Sequence, residues 1–409
     1  MSYYSSTMTP RERSHPQPLA STQVGRSNSD SLCNPYNTAD PGFESMELQG
    51  KPPHLPPARG RGTSLDPTNR FESISLEVLA EHAQEIWEET PDGRRCKTFV
   101  YADSSKSVIN PVNSPDLHFS WTINPYRGCE HGCIYCYARP GHEYLAMSSG
   151  LDFETRIFAK HDAPRLLEIE LMRKSWKGEA IMLSGVTDPY QPVERSLQIT
   201  RRILEVCVRF RQPISIITKS KLILRDLDLL LALHQHGAVS CAVSLTTLDP
   251  QLASKMEPRA ASPQSRLEVI RTLASHGIPV TVMTAPIIPR INDAELPALL
   301  KAAAEAGATR AGYVLLRLPY QIKEMFIEWL RRHFPQRAAH VEGLIRDTRE
   351  GMLYKGEFFE RAKGTGAVAK HIEDTFQLFS RRYGLDKPRT VRPQTPFRRL
   401  EGSQGGLFD

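Results

Sequence analysis

"GCEHGCIYCYAR", residues 128–139, places Cys129, Cys133 and Cys136 within eight positions of a 409-residue chain that has only seven cysteines. Thiolates are soft ligands that select zinc, copper(I) or iron–sulfur clusters over hard cations, so this spacing predicts a metal centre. A redox thiol pair would need only two of the three, and inert buried cysteines would not be concentrated in a polar, glycine-containing loop. The loop is therefore the strongest functional signal in the sequence.

The number of thiols in this loop favours a cluster over a single ion. Structural zinc usually has four protein ligands in two closely spaced pairs, and a second pair is missing here. His131 or His142 remains an alternative fourth ligand for zinc. Three cysteines on a four-iron cluster leave one iron open to a small molecule that chelates it through nitrogen and oxygen. We therefore expect a 4Fe-4S cluster with one open coordination position.

The sequence around the loop predicts an α/β fold. "LHFSWTIN", residues 117–124, alternates apolar and polar residues with the period of a strand, and the loop follows it directly. Strand-like and helix-like segments then alternate as far as Pro319, giving six strands and five helices, among them a strand over 180–188 and a helix over 193–210. Gly237, Gly277 and Gly307 follow three of these helices, where a left-handed residue ends the last turn. Strict alternation predicts a parallel sheet, arranged either as a partial barrel or as an open sheet.

Composition and periodicity divide the chain into five parts. We predict a disordered tail over 1–62, an N-terminal extension over 63–116, the β/α array over 117–320, a helical C-terminal extension over 321–386 and a basic flexible tail over 387–409. The first part is rich in Ser, Pro, Gly, Asn and Gln and has no apolar period that could form a core.

Charge and hydrophobicity limit where the protein works. The chain has no run of eighteen apolar residues and no signal-peptide pattern, and its odd number of cysteines indicates reduced thiols, so we expect a cytoplasmic protein without a membrane segment. Its formal net charge of +6 suits a polyanion such as nucleic acid, although many enzymes with neutral substrates are equally basic.

The motif and its setting resemble a known superfamily. Cys-x3-Cys-x2-Cys, with Tyr135 just before the last cysteine and a β/α array after it, resembles the radical S-adenosylmethionine (radical SAM) superfamily. Together with "SGVTDPYQPVE" (184–194) and "TKS" (218–220), it is similar to the branch that contains spore photoproduct lyase, the DNA repair photolyase-like branch. The resemblance implies a partial (β/α)6 barrel of the triosephosphate-isomerase type, a 4Fe-4S cluster on the three cysteines and S-adenosylmethionine on the open iron. Reductive cleavage of that molecule then gives a 5′-deoxyadenosyl radical.

The resemblance also assigns residues in the cysteine loop, at the carboxyl ends of the barrel strands and in the segment after the fourth strand to the cofactor. These candidate cofactor-binding residues are Tyr135, Ser184, Gly185, Thr187, Asp188, Lys219, Ser244 and Arg266. Asp188 is equally well explained as a turn residue before a proline, and Lys219 either pairs with the carboxylate of S-adenosylmethionine or is a solvated loop residue. Arg266 contacts the same carboxylate or forms a surface ion pair.

One departure from the branch bears on the reaction. Spore photoproduct lyase uses a cysteine after its cluster motif as hydrogen donor, and this sequence has none between Cys136 and Cys207. The departure indicates a related substrate, another hydrogen donor such as tyrosine, or a different reaction. Nucleic acid is the leading substrate class, with a protein or small metabolite as the alternative. A hypothesis from another class is a non-catalytic iron–sulfur or zinc protein that senses redox state or scaffolds partners.

Two protein partners are expected. The chemistry needs an electron donor such as flavodoxin or ferredoxin. "QGGLF", with Gln404, Leu407 and Phe408, resembles the short peptides that dock bacterial repair and replication proteins on the DNA sliding clamp.

Overall fold

The computed structural model describes residues 60–63, 65–67, 69–70, 87–90, 93–388 and 394–400. The predicted tail up to residue 59 and the clamp-like residues Gln404, Leu407 and Phe408 lie outside the described residues.

The strands are numbered along the chain. They are β1 (Trp87–Thr90), β2 (Gly93–Cys96), β3 (Phe99–Ala102), β4 (Asn110–Pro111), β5 (Trp121–Ile123), β6 (Tyr126–Arg127), β7 (Arg156–Ala159), β8 (Ile181–Leu183), β9 (Ile214–Thr218), β10 (Val239–Ser244), β11 (Val280–Ile287) and β12 (Arg310–Leu315).

The largest sheet has seven strands in the order β12–β11–β10–β9–β8–β5–β4. Strands β5 and β8 to β12 pair in parallel, and β4 pairs antiparallel with β5. Six parallel strands in chain order, linked by helical crossovers, confirm the partial (β/α)6 barrel. The sheet does not close, so β4 and β12 are its two edges and the barrel has an open side.

The helices lie between and after these strands. They are α1 (Leu151–Thr155), α2 (Ala163–Met172), α3 (Glu194–Leu197), α4 (Ile199–Phe210), α5 (Leu227–Gln235), α6 (Pro250–Met256), α7 (Pro263–Ser275), α8 (Leu296–Glu305), α9 (Ile322–His333), α10 (Ala338–Asp347), α11 (Glu360–Lys363) and α12 (Gly366–Arg382). Short 3-10 turns cover Arg139–Leu145, Lys221–Asp226 and Asp293–Glu295.

Several predicted boundaries differ from the observed ones. The helix expected over 193–210 is broken at Gln198, whose φ is 51°, and becomes α3 and α4. The strand expected over 180–188 ends at Leu183, because Ser184 has a φ of 83° and turns the chain out of the sheet. The sequence pattern does not indicate helices α6 and α10 or the small sheet of β3, β7 and β6.

Two groups of buried apolar side chains hold the fold together. One lies between the barrel strands and their helices. The other joins the cysteine loop to the C-terminal helices, with Ile134 and Tyr135 in the same cluster as Met256, Phe326 and Trp329. Burial of these side chains fixes the C-terminal extension against the loop.

The two ends of the described chain are also packed. Arg61 and Gly62, the last residues assigned to the N-terminal tail, are buried. Residues 394–400 belong to the tail that was expected to be flexible, yet Phe397 stacks on Phe210 with ring centroids 6.3 Å apart. Thr395 donates a 2.7 Å hydrogen bond to the carbonyl of Gly178. Within the described residues, no helix is long and apolar enough to cross a membrane.

Candidate functional site

The cysteine loop follows β6 and is held at both ends by backbone hydrogen bonds. The amide of Cys129 donates to the carbonyl of Phe153 at 2.8 Å, and the amide of Ile134 donates to the carbonyl of Met256 at 3.1 Å. These bonds fix the loop between α1 and the end of α6. The conformation of the loop backbone is therefore set by contacts with distant parts of the chain.

A buried ion pair supports the middle of the loop. The Arg139 guanidinium donates to the carbonyl of Cys133 at 3.1 and 3.0 Å and to Glu154 Oε1 at 2.5 Å. Glu154 Oε2 accepts a 3.0 Å hydrogen bond from the amide of Gly62. The roles of Arg139 and Glu154 could not be predicted from the sequence, because their pairing depends on the folded loop.

The three thiols fit a cluster. Cys129 and Cys133 are buried and Cys136 is half-buried. Burial raises the pKa of Cys133 to about 12 and raises that of Cys129 well above its usual value. Among the described residues, no three His, Cys, Asp or Glu side chains converge where one ion would be held. A four-iron cluster binds each thiolate through a different iron, so its ligands need not converge on one point.

Asp188 joins the end of β8 to the end of β9 and to the cysteine loop. Its carboxylate accepts hydrogen bonds from Thr218 Oγ1 and the Lys219 amide, both at 2.7 Å, and from the Tyr190 amide at 2.9 Å. His131 Nδ1 lies 3.4 Å from Asp188 Oδ2. Burial would raise the pKa of Asp188, but His131 and these donors lower it to about 2. Asp188 is thus an ionised group that positions its neighbours.

The segment after β8 forms a polar turn beside the loop. The Gly185 amide donates a 2.8 Å hydrogen bond to Asn124 Oδ1, and the Ser184 hydroxyl donates to the carbonyl of Thr187. The Tyr137 hydroxyl donates to the carbonyl of Gly185. The predicted residues Ser184, Gly185 and Thr187 are therefore together, and Asn124 is an additional member that the sequence did not reveal.

A second buried network surrounds Glu257. Its carboxylate accepts hydrogen bonds from the Tyr135 hydroxyl, from Thr246 Oγ1 at 2.7 Å and from the Arg266 guanidinium. Burial would raise the pKa of Glu257, but Arg266 and Lys219 lower it to about 2. Arg266 is buried and also donates to the carbonyl of Ser244 at 3.1 Å, so its ion pair is not a surface pair.

Lys219 carries a positive charge beside the cysteine loop. Its ammonium lies 5.9 Å from the centre of the Tyr135 ring, and no hydrogen bond from it is observed within the described part of the chain. Burial lowers its pKa, but Glu257 and Cys133 outweigh that effect and raise it, so the side chain stays charged. A charged ammonium in this position can receive a carboxylate.

Two of the remaining cysteines belong to the barrel core. Cys207 in α4 and Cys241 in β10 are fully buried, and burial raises the pKa of each to about 12. Both are therefore inert core residues.

A known family model matches the part of the chain that contains the cysteine loop. The family model described as "Radical SAM superfamily" matches residues 123–303. An uncharacterized protein of Mycobacterium bovis is 38% identical over 244 residues, which cover 59% of this chain and 72% of that protein. The chain belongs to the radical SAM superfamily. Such enzymes use a 4Fe-4S cluster and S-adenosylmethionine, so this protein is an enzyme with those cofactors.

Two further proteins are similar to this chain at lower identity. A solved structure of a spore photoproduct lyase mutant has a TM-score of 0.50 at 16% identity and covers 70% of this chain and 79% of its own. At that identity the likeness concerns the fold alone. The radical SAM Nalpha-GlyT isomerase of Pseudomonas phage M6 is 25% identical over 230 residues, or 56% of this chain and 46% of that protein.

Proposed function

We propose that this radical SAM enzyme holds its cluster on Cys129, Cys133 and Cys136 and acts on a nucleic acid. The observation that carries the cofactor assignment is the charged Lys219 ammonium beside the loop of three thiols. When bound, the cluster and S-adenosylmethionine supply a 5′-deoxyadenosyl radical that abstracts hydrogen from a substrate carbon.

The residues around the loop bind and orient the cofactor. Lys219 pairs with the carboxylate of S-adenosylmethionine, and the polar turn of Ser184, Gly185 and Thr187 receives its amino group. Asp188 holds the Lys219 backbone in place. Fixed polar groups of this kind need no reorganisation during the reaction.

The network of Glu257 supports the same site and acts electrostatically on Lys219. Glu257 holds the Tyr135 hydroxyl and the Arg266 guanidinium through hydrogen bonds, and Arg266 ties this network to the Ser244 carbonyl at the end of β10. These residues position the loop and the strand ends. Ser244 and Arg266 therefore contribute by fixing the positions of the groups around the site. Tyr135 connects the Glu257 network to the cysteine loop.

The nucleic-acid assignment rests on the basic charge and on the resemblance of the cysteine loop and of residues 184–194 and 218–220 to the spore photoproduct lyase branch. The net charge is +6. Phosphate contacts make such binding salt-dependent. A protein or small-metabolite substrate is the second candidate.

We also propose a cytoplasmic location, a flavodoxin or ferredoxin as electron donor, and clamp docking through Gln404, Leu407 and Phe408, which lie outside the described residues.

The substrate assignment is tested by cleavage of S-adenosylmethionine by the reduced, cluster-loaded enzyme with and without oligonucleotides. Acceleration by DNA or RNA that weakens as salt rises supports a nucleic-acid substrate. If a protein or metabolite fraction accelerates the cleavage instead, and salt has no effect on this, the substrate is a protein or a small metabolite.

A further inference from the structure

Three exposed aromatic side chains lie on the cysteine loop and on the segment that follows β12. Phe359 is 64% exposed, and Phe358 and Tyr137 are each 47% exposed. Large exposed apolar side chains that cluster on a monomer mark a binding surface.

An ion pair connects the segment of Phe358 and Phe359 to the opposite edge of the sheet. Arg361, beyond β12, donates to both oxygens of Asp116 at 2.6 and 2.5 Å, and Asp116 lies between β4 and β5. The Phe359 amide also donates to Asp116 at 3.4 Å. The Arg361 guanidinium lies 4.8 Å from the centre of the Phe358 ring. Phe359 is therefore anchored to Asp116 by its own amide, and Phe358 is anchored to it through Arg361. Asp116 lies near the opposite edge of the sheet.

The backbone of Phe359 is held in an unusual conformation. Its φ is 70°, a region that bulky residues rarely adopt. Such a conformation persists only where surrounding contacts impose it, and here the contacts of Asp116 do so. The side chains of Phe358 and Phe359 are therefore held exposed to solvent.

Positive charge lies beside these rings. The Arg317 guanidinium is 4.9 Å from the centre of the Tyr137 ring, and its buried Nε has no hydrogen-bond partner among the described residues. Arg317 and Arg361 both lie near enough to the Tyr137 hydroxyl to act on it electrostatically. Tyr137 directly follows the ligand Cys136, so the aromatic surface borders the cofactor site.

We propose that Tyr137, Phe358 and Phe359 stack on the bases of an unpaired nucleic-acid segment, with Arg317 contacting its phosphates. This inference rests on the proposed function and narrows its substrate to single strands. Aromatic rings can stack on any base, and guanidinium groups can contact the phosphates of the nucleic-acid backbone.

The test measures binding of labelled single-stranded DNA, single-stranded RNA and duplex DNA to the cluster-loaded full chain. We expect wild type to prefer single strands and Phe358→Ala/Phe359→Ala to bind them at least about tenfold more weakly. Arg317→Gln should lower the slope of log affinity against log salt by about 0.7. Leu378→Ala, an exposed apolar change on α12, is the control and should bind as wild type does. Iron content and thermal unfolding verify that each variant is folded.

The outcomes separate the two proposals. If the double variant binds single strands as tightly as wild type, the stacking surface is wrong and the nucleic-acid function stands. If wild type binds no oligonucleotide, both are wrong. If the double variant instead abolishes self-association of wild type, the surface is an interface between copies and the stacking proposal is overturned.

Discussion

The backbone of Gly62 lies directly against Gly132 of the cysteine loop. A Cβ atom at Gly62 would overlap the Gly132 carbonyl, which is backbone and cannot swing away. The segment around Gly62 therefore helps to hold the cysteine loop in place.

Gly62→Ala should displace this segment and cost about 1–3 kcal/mol in the free energy of unfolding, with a loss of bound iron. The measurement is denaturant unfolding together with iron content. Gly141→Ala is the matched control, since its Cβ would meet no atom within 4 Å. Equal iron content in both variants would contradict the role of Gly62.

Lys219→Gln should weaken S-adenosylmethionine binding by roughly ten- to hundredfold, because a charge-assisted contact to a carboxylate is lost. Calorimetry on the cluster-loaded enzyme measures the change. Lys221→Gln is the control, since Lys221 pairs with exposed Glu268 at 2.7 Å. Unchanged affinity in Lys219→Gln would show that the carboxylate is bound elsewhere.

Arg266→Met should destabilise the protein by about 3–5 kcal/mol, because it removes the cation that is hydrogen-bonded to the buried Glu257 carboxylate. The double variant Glu257→Gln/Arg266→Met should lose less than the sum of the two single changes. Denaturant unfolding of all four proteins gives the coupling, and strict additivity would mean that the pair does not interact.

His142 predicts a pH dependence of stability. Burial lowers its pKa to about 4, below the ordinary value of 6.5, so between these two values the unfolded chain binds a proton that the folded chain does not. The contribution of this residue to stability is therefore present at neutral pH and falls by about 3 kcal/mol as the pH drops through that window. Denaturant unfolding across this pH range should show a flatter profile for His142→Phe than for wild type, and parallel profiles would exclude His142 as the cause.

Local pattern in the sequence was enough to predict the six parallel strands and the cysteine loop. Gly237, Gly277 and Gly307 have the positive φ expected of residues that end helices. Contacts between distant residues could not be predicted in this way. Tyr135 meets Glu257 and Arg361 meets Asp116 only after the barrel has formed, because no periodicity connects residues so far apart.

We propose that the loop cysteines support reductive cleavage of S-adenosylmethionine. The most direct test reconstitutes the protein anaerobically with iron and sulfide, adds dithionite and S-adenosylmethionine, and measures 5′-deoxyadenosine by chromatography. We predict that wild type forms the nucleoside and Cys133→Ala does not. A fully loaded wild-type cluster that forms none, even with candidate substrates present, would contradict this claim and favour a sensing or scaffolding protein.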